Sequence, residues 1–165
     1  MKLIIGIDPG MTGAIALLWG GCPPITRDMQ PSADGKRTVV HPEIIEAIRQ
    51  RVVHVSDTTT HVFIEDINAT PKFGSQTSFK MGRALGALET WASMIPGASI
   101  EYVKPMKWKK AFGLVLAKKL NAAEAKRVSL ECARRLFPQV DLHRVADHNK
   151  AEALLIAEYG RRVMG

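Results

Sequence analysis

Three acids stand where apolar segments end or begin: Asp8 after Leu3-Ile4-Ile5-Gly6-Ile7, Glu65 after Val62-Phe63-Ile64, and Glu152 before Ala153-Leu154-Leu155-Ile156. A carboxylate at the end of a buried strand is costly to desolvate unless a cation or a proton accompanies it. Carboxylate oxygens gathered at one place suit Mg²⁺ or Mn²⁺, because hard cations prefer hard ligands. Two such ions about 4 Å apart can activate water and stabilise a leaving oxygen in phosphodiester cleavage. A single acid at an element end more ordinarily caps a helix or pairs with a lysine. Three at apolar element ends raise the expectation of a metal-dependent nuclease. Asp147 and His148, close before Glu152, join the candidates as a further ligand or a proton-transfer group.

These side chains need elements to position them. The unbroken apolar run before Asp8-Pro9-Gly10 predicts a buried strand. Ala14–Trp19 predicts a second strand, antiparallel to the first, and a short third is expected around Ile25. Pro42 opens a helix carrying Ile44, Ile45, Ile48 and Val52 at helical spacing. In the strand 61–66 neighbours alternate faces, so Glu65 and Asp66 point opposite ways. Glu65 shares its face with Phe63 and is taken as the site acid, with Asp66 as the decoy. A long helix follows from Gln76 to Met94, with Gly82 and Gly86 one turn apart, and then a strand over 98–103. Asn121 and Glu124 form a capping-box pattern for a helix running to Phe137. The last helix is expected over Ala151–Val163. Glu152 sits one turn before Leu155 and Ile156, so its carboxylate is expected to face the sheet surface those two pack on.

The chain of 165 residues carries a formal net charge of +7. That length is expected to form one domain, 1–165. The charge favours a polyanionic partner, nucleic acid ahead of an anionic membrane. Basic residues flank the candidate acids on separate segments: Lys72 beyond Glu65, Lys107, Lys109 and Lys110 after the strand 98–103, and Lys150 beside Glu152. Each is a candidate phosphate contact. Phe73, an aromatic between Lys72 and Gly74, is a candidate to stack on or wedge between bases; folding back onto the protein is the alternative. Trp108 is expected in the core. Cys22 and Cys132 lack metal-ligand spacing and read as free thiols. Asp8 interrupts the N-terminal apolar run too early for a signal peptide, and no apolar run approaches the ~20 residues of a membrane span. A cytoplasmic protein with no membrane association is expected.

Ile5-Gly6-Ile7-Asp8-Pro9-Gly10, the acid-tipped Val62-Phe63-Ile64-Glu65 and the terminal Ala151-Glu152-Ala153-Leu154-Leu155-Ile156-Ala157, in this order and at these separations, resemble the RuvC-type Holliday junction resolvases, particularly their phage-encoded branch. The resemblance implies an α/β, ribonuclease H-like fold, a mixed five-stranded sheet flanked by helices. It implies a homodimer that binds four-way DNA junctions and makes paired nicks with Mg²⁺, the long Gly82/Gly86 helix lying at the dimer interface. For a phage-encoded member the cytoplasm is that of a bacterial host. It further implies that Asp8 and Glu65 are metal ligands and that Glu152 stands where the family often has Asp. One departure matters. Bacterial members commonly carry two final acids as Asp-x-x-Asp, whereas here the residue three before Glu152 is Asn149. The fourth ligand is then Asp147 or His148, and Asp147 has the competing role of helix N-cap.

Other functions compete. Asp8-Pro9-Gly10-Met11-Thr12-Gly13 also resembles the first phosphate loop of actin-like ATPases and sugar kinases, but that architecture needs two such halves. A junction-binding module with an inactive site, and a nuclease of the same fold acting on other branched DNA or on RNA–DNA hybrids, both fit the same motifs.

Overall fold

The computed structural model describes residues 1–10, 12–33, 38–54, 58–68, 74–115 and 120–165. The elements in chain order are β1 (Lys2–Asp8), β2 (Ala14–Trp19), β3 (Ile25–Asp28), β4 (Gln30–Pro31), β5 (Thr38–Val39), α1 (Pro42–His54), β6 (Thr59–Glu65), α2 (Ser75–Ser93), β7 (Ser99–Val103), α3 (Pro105–Ala111), α4 (Ala122–Leu136) and α5 (His148–Val163). A short 3₁₀ turn, Val145–Asp147, leads into α5. β4 and β5 form a small separate ladder. The main sheet is five-stranded and mixed, in the order β3-β2-β1-β6-β7. β1, β2 and β3 are an antiparallel meander. β6 and β7 add parallel to β1, because helices α1 and α2 carry the chain back between them.

Strand parity sorts the core into two layers. Leu3, Ile5 and Ile7 of β1 pack with Ile44 of α1 and Leu88 of α2. Ile4 and Phe63 face the other way, against Leu154, Ile156 and Ala157 of α5. β1 is therefore apolar on both faces, which explains the unbroken run before Asp8. Full burial of each large aliphatic side chain contributes roughly 1.5–3 kcal/mol, and Leu154, Leu155 and Ile156 of α5 are all fully buried.

Asp8 shares parity with Ile4 and Gly6, so it stands on the α5 side. At Gly6 the α5 backbone lies so close that an added Cβ would strike the Ala153 carbonyl oxygen and the Ala157 nitrogen. Only glycine permits that approach. It seats α5 directly on β1 and brings the start of the helix, with Glu152, toward the end of the strand. Gly160 does the same one end further on, where a Cβ would strike the Phe63 ring.

The expected elements are present with boundary shifts. Lys104–Lys110, read from sequence as a basic and aromatic segment, is largely the short helix α3, opened by Pro105. The last helix starts earlier than expected, at His148. The Asn121–Glu124 capping box is formed in both directions, each bond 2.9 Å. Lys72 and Phe73 lie outside the described residues. No described helix is long and apolar enough to cross a membrane.

Candidate metal centre

β1 ends on Asp8, β6 ends on Glu65, and α5 carries Glu152 in its first turns. The topology brings the three together at one end of the sheet. Desolvation pushes the Asp8 carboxyl well above the usual range, and the nearby charges of Glu152 and Glu65 push it further. Lys109 and Lys126 oppose that shift without cancelling it. Glu65, 8% exposed, is also raised, first by burial; the Trp108 hydrogen bond pulls it down, Glu152 pushes it up and Lys109 pulls it down. Asp8 and Glu65 are thus both pushed toward their neutral forms, with Lys109 opposing the shift at each.

Each glutamate has its own holder. The fully buried Trp108 of α3 donates its indole N–H to Glu65 Oε1 at 2.9 Å. Ser129 of α4, 1% exposed, donates its hydroxyl to Glu152 Oε1 at 3.0 Å. Lys109, the neighbour of Trp108, places Nζ 3.5 Å from Glu152 Oε1 and 4.9 Å from the centre of the Trp108 ring. One short helix thus delivers an indole to one acid and an ammonium to the other. A hydrogen bond to a charged acceptor is worth about 1.5–3 kcal/mol when both groups are buried, enough to fix a rotamer.

Among the described residues no three Asp, Glu, His or Cys side chains stand close enough, as arranged, to share one ion. The donor set itself fits a hard divalent cation: three carboxylates and no thiolate, with burial making the charge of Asp8 and Glu65 costly. Asp8, Glu65 and Glu152 are the residues at this end of the sheet whose chemistry would suit such an ion.

Asp147 does not join them. It is 1% exposed, and Oδ1 takes 2.8 Å contacts from both Arg144 Nη2 and Lys150 Nζ. Oδ2 accepts from the Arg144 backbone N–H at 2.8 Å. Burial alone would raise its pKa, but the bonds from Arg144 and Lys150 outweigh it and hold the group well below the usual carboxylate range. It occupies the N-cap position of α5, yet its side chain bonds back to Arg144 and makes no cap bond to the helix. His148 has Nδ1 3.2 Å from the Val145 carbonyl, an acceptor, so that nitrogen carries the proton. Asn149, at the place of the missing acid, donates its amide to the Thr12 carbonyl and ties α5 to the turn after β1.

The basic candidates divide. Lys109 and Lys150 point inward onto acids, their side chains 27% and 13% exposed. Lys107 and Lys110 remain exposed on α3. Sequence reasoning placed Trp108 in the core but missed its bond to Glu65. It also missed Ser129, whose signal was available: a hydroxyl on the buried stripe of α4, beside Leu130, Cys132 and Ala133, requires a partner.

No family model matches the chain, and no curated protein matches it. Solved structures do. One, Thermus thermophilus RuvC in complex with a Holliday junction substrate, superposes with a TM-score of 0.58 at 22% identity, covering 99% of this chain and 97% of that one. Another structure of Thermus thermophilus RuvC gives 0.51 at 21%, covering 98% and 96%. With the mixed sheet and its flanking helices, the likeness assigns this chain a RuvC-like, ribonuclease H-like fold.

Proposed function

We propose that the protein is a divalent-metal-dependent endonuclease that resolves four-way DNA junctions by paired symmetric nicks. The observation that carries this reading is the convergence of Asp8, Glu65 and Glu152, with the Asp8 carboxyl driven upward first by burial and then by the charges of the other two. The end-to-end likeness to a fold seen in complex with a Holliday junction supports the substrate class. The net charge of +7 agrees with a polyanionic substrate.

In this reading Asp8, Glu65 and Glu152 hold Mg²⁺ or Mn²⁺. When bound, such an ion supplies a Lewis acid at the phosphate and lowers the pKa of attacking water. The protein's own part is to orient. Trp108 fixes Glu65, and Ser129 fixes Glu152. Lys109 neutralises part of the cluster's charge. His148, with Nδ1 protonated, keeps Nε2 as the nitrogen able to accept a proton. Asp147 serves the frame: it anchors Arg144 and Lys150. Lys107 and Lys110 contribute phosphate contacts from the exposed side of α3, with Lys72 and Phe73 beyond Glu65 as further DNA contacts.

Paired nicks call for two sites related by a dyad, hence a homodimer. Helix α2 supports that arrangement. Phe79 and Met94 are 65% and 75% exposed, and nothing lies within 4 Å of a Cβ built at Gly82 or Gly86. The test uses labelled four-way junction, fork, duplex and RNA–DNA hybrid, each with and without Mg²⁺. Paired, Mg²⁺-dependent nicks on the junction, with duplex left intact, are expected. Binding without cutting would favour the inactive-module reading, and preferential cutting of fork or hybrid would favour the related-nuclease reading.

A further inference from the structure

The two glutamates of the candidate centre are held in the same way. Trp108 donates its indole N–H to Glu65 Oε1 at 2.9 Å, and Ser129 donates its hydroxyl to Glu152 Oε1 at 3.0 Å. Lys109 Nζ stands 3.5 Å from that same Glu152 oxygen. Among the described residues nothing bonds Oε2 of either glutamate, and no hydrogen bond reaches the carboxylate of Asp8. Each glutamate therefore has one oxygen taken by the protein and one open, while Asp8 has both open.

The holders are not free to follow a carboxylate that turns. Trp108 is fully buried on the short helix α3 and packs in the same core layer as Leu154, Leu155 and Ile156 of α5. Ser129 lies on the buried stripe of α4, whose Leu130, Cys132 and Ala133 belong to that layer too. A carboxylate oxygen offers a pair of lone-pair sites, and Glu152 Oε1 already serves a hydroxyl and an ammonium. If Glu152 took an ion through both oxygens, Oε1 would give up one of these donors. If Glu65 turned to do the same, the indole N–H would be left buried without an acceptor, which is costly.

Cations differ in what they ask of such ligands. Mg²⁺ demands near-ideal octahedral geometry and keeps water and phosphate oxygens beside one or two carboxylates, and Mn²⁺ shares the octahedral preference. Ca²⁺ takes about six to eight oxygens and chelates carboxylates through both of theirs. The open oxygens of Asp8, with one from each glutamate, suit the first kind of ion and fall short for the second.

We propose that Ser129 and Trp108 are ion-selecting residues: by occupying Oε1 of Glu152 and of Glu65 they hold both glutamates to one-oxygen coordination, which admits Mg²⁺ or Mn²⁺ and disfavours Ca²⁺. The inference rests on the metal-site reading above and gives that site a means of choosing its ion. Both residues are positioning residues, acting through the acid that each one holds.

The test measures Mn²⁺ and Ca²⁺ affinities of the full chain by calorimetry, without DNA, for the wild type, Ser129→Ala, Ser129→Thr and Trp108→Phe. The readout is the ratio of the two affinities. The wild type should bind Mn²⁺ the more tightly. In Ser129→Ala, Mn²⁺ binding should weaken about tenfold, the low end for loss of an outer hydrogen bond. Ca²⁺ binding should hold or strengthen, so the ratio should fall about tenfold or more. Trp108→Phe should move the ratio the same way, and Ser129→Thr, which keeps the hydroxyl, should preserve it. Should Trp108→Phe fail to fold, Ser129→Ala decides. A residue that only supports the fold would shift both ions together. Equal weakening of Mn²⁺ and Ca²⁺ in Ser129→Ala, or tighter binding of Ca²⁺ by the wild type, overturns the selection and leaves the metal site standing. A wild type that binds neither ion overturns the metal site itself, and the selection with it.

Discussion

Asp8 and Asp147 lie at the two ends of one stretch of structure, the first closing β1 and the second preceding the helix that packs on β1, yet their surroundings are opposite. Asp147 is buried with two cations of its own and is held well below the usual carboxylate range despite its desolvation. Glu158, buried on α5 between Arg161 and Arg162, is likewise lowered. Asp8 is pushed the other way, by desolvation and by two neighbouring glutamates. An acid supplied with its own cations is part of the frame. In the proposed reading, the acid pressed against other acids is the one that takes a charge from outside the chain. This contrast, rather than proximity in sequence, separates Asp147 from Asp8, Glu65 and Glu152.

Breaking the first side of the contrast should have the largest effect. Asp8→Asn removes a ligand charge and touches no DNA contact, so junction cleavage should fall at least about 100-fold while junction binding persists. The same substitution should stabilise the metal-free protein. Asp8 has a folded pKa above its unfolded value of about 3.9, so its contribution to stability declines as pH rises from about 4 through the raised value. Without metal, Asp8→Asn should therefore melt above the wild type at pH 7.5, and the gap should close toward pH 4.

Breaking the second side should do the reverse. Asp147→Ala leaves Lys150 without its partner, while Arg144, 68% exposed, can turn to water. A loss of about 2–3 kcal/mol is expected, below the usual cost of about 3–5 kcal/mol for opening a fully buried pair. Denaturant titration reads it. Because the Asp147 pKa is lowered on folding, its stabilisation is present above the unfolded value and fades only as pH falls through the folded one. Metal affinity should not change. A variant that folds normally but binds Mn²⁺ weakly would return Asp147 to the site.

A smaller effect sharpens the comparison at Glu65. Trp108→Phe keeps an aromatic ring and removes the N–H that holds the carboxylate. Loss of such an outer hydrogen bond typically weakens a metal site by about 10–100-fold, and the low end, roughly tenfold in Mn²⁺ affinity by calorimetry, is expected because the rest of α3 stays in place. An affinity equal to that of the wild type would make Trp108 a packing residue.

Much of this was legible in the sequence. The run Leu3–Ile7 announces a strand buried on both faces, and strand parity with Phe63 selects Glu65 over Asp66. The capping box at Asn121 gives the start of α4 to the residue. The holders of the acids were not legible. Trp108 and Ser129 reach Glu65 and Glu152 from 43 and 23 residues away in the chain, through packing that no local pattern encodes. Asp147 misled for the same reason. An acid just before a helix looks alike whether it faces a metal or a buried lysine, and only the turn 145–147 turns it toward Arg144 and Lys150.

The central claim is that Asp8, Glu65 and Glu152 make one divalent-ion site, and thermal melting of the wild type and Asp8→Asn across a Mn²⁺ titration at pH 7.5 tests it most directly. An ion bound only by the folded state adds about 2.7 kcal/mol at one hundred times its dissociation constant. The account predicts a saturating rise in melting temperature for the wild type, and a midpoint at least about tenfold higher in Mn²⁺ for Asp8→Asn. The same midpoint in both proteins, or no rise in the wild type, would contradict it.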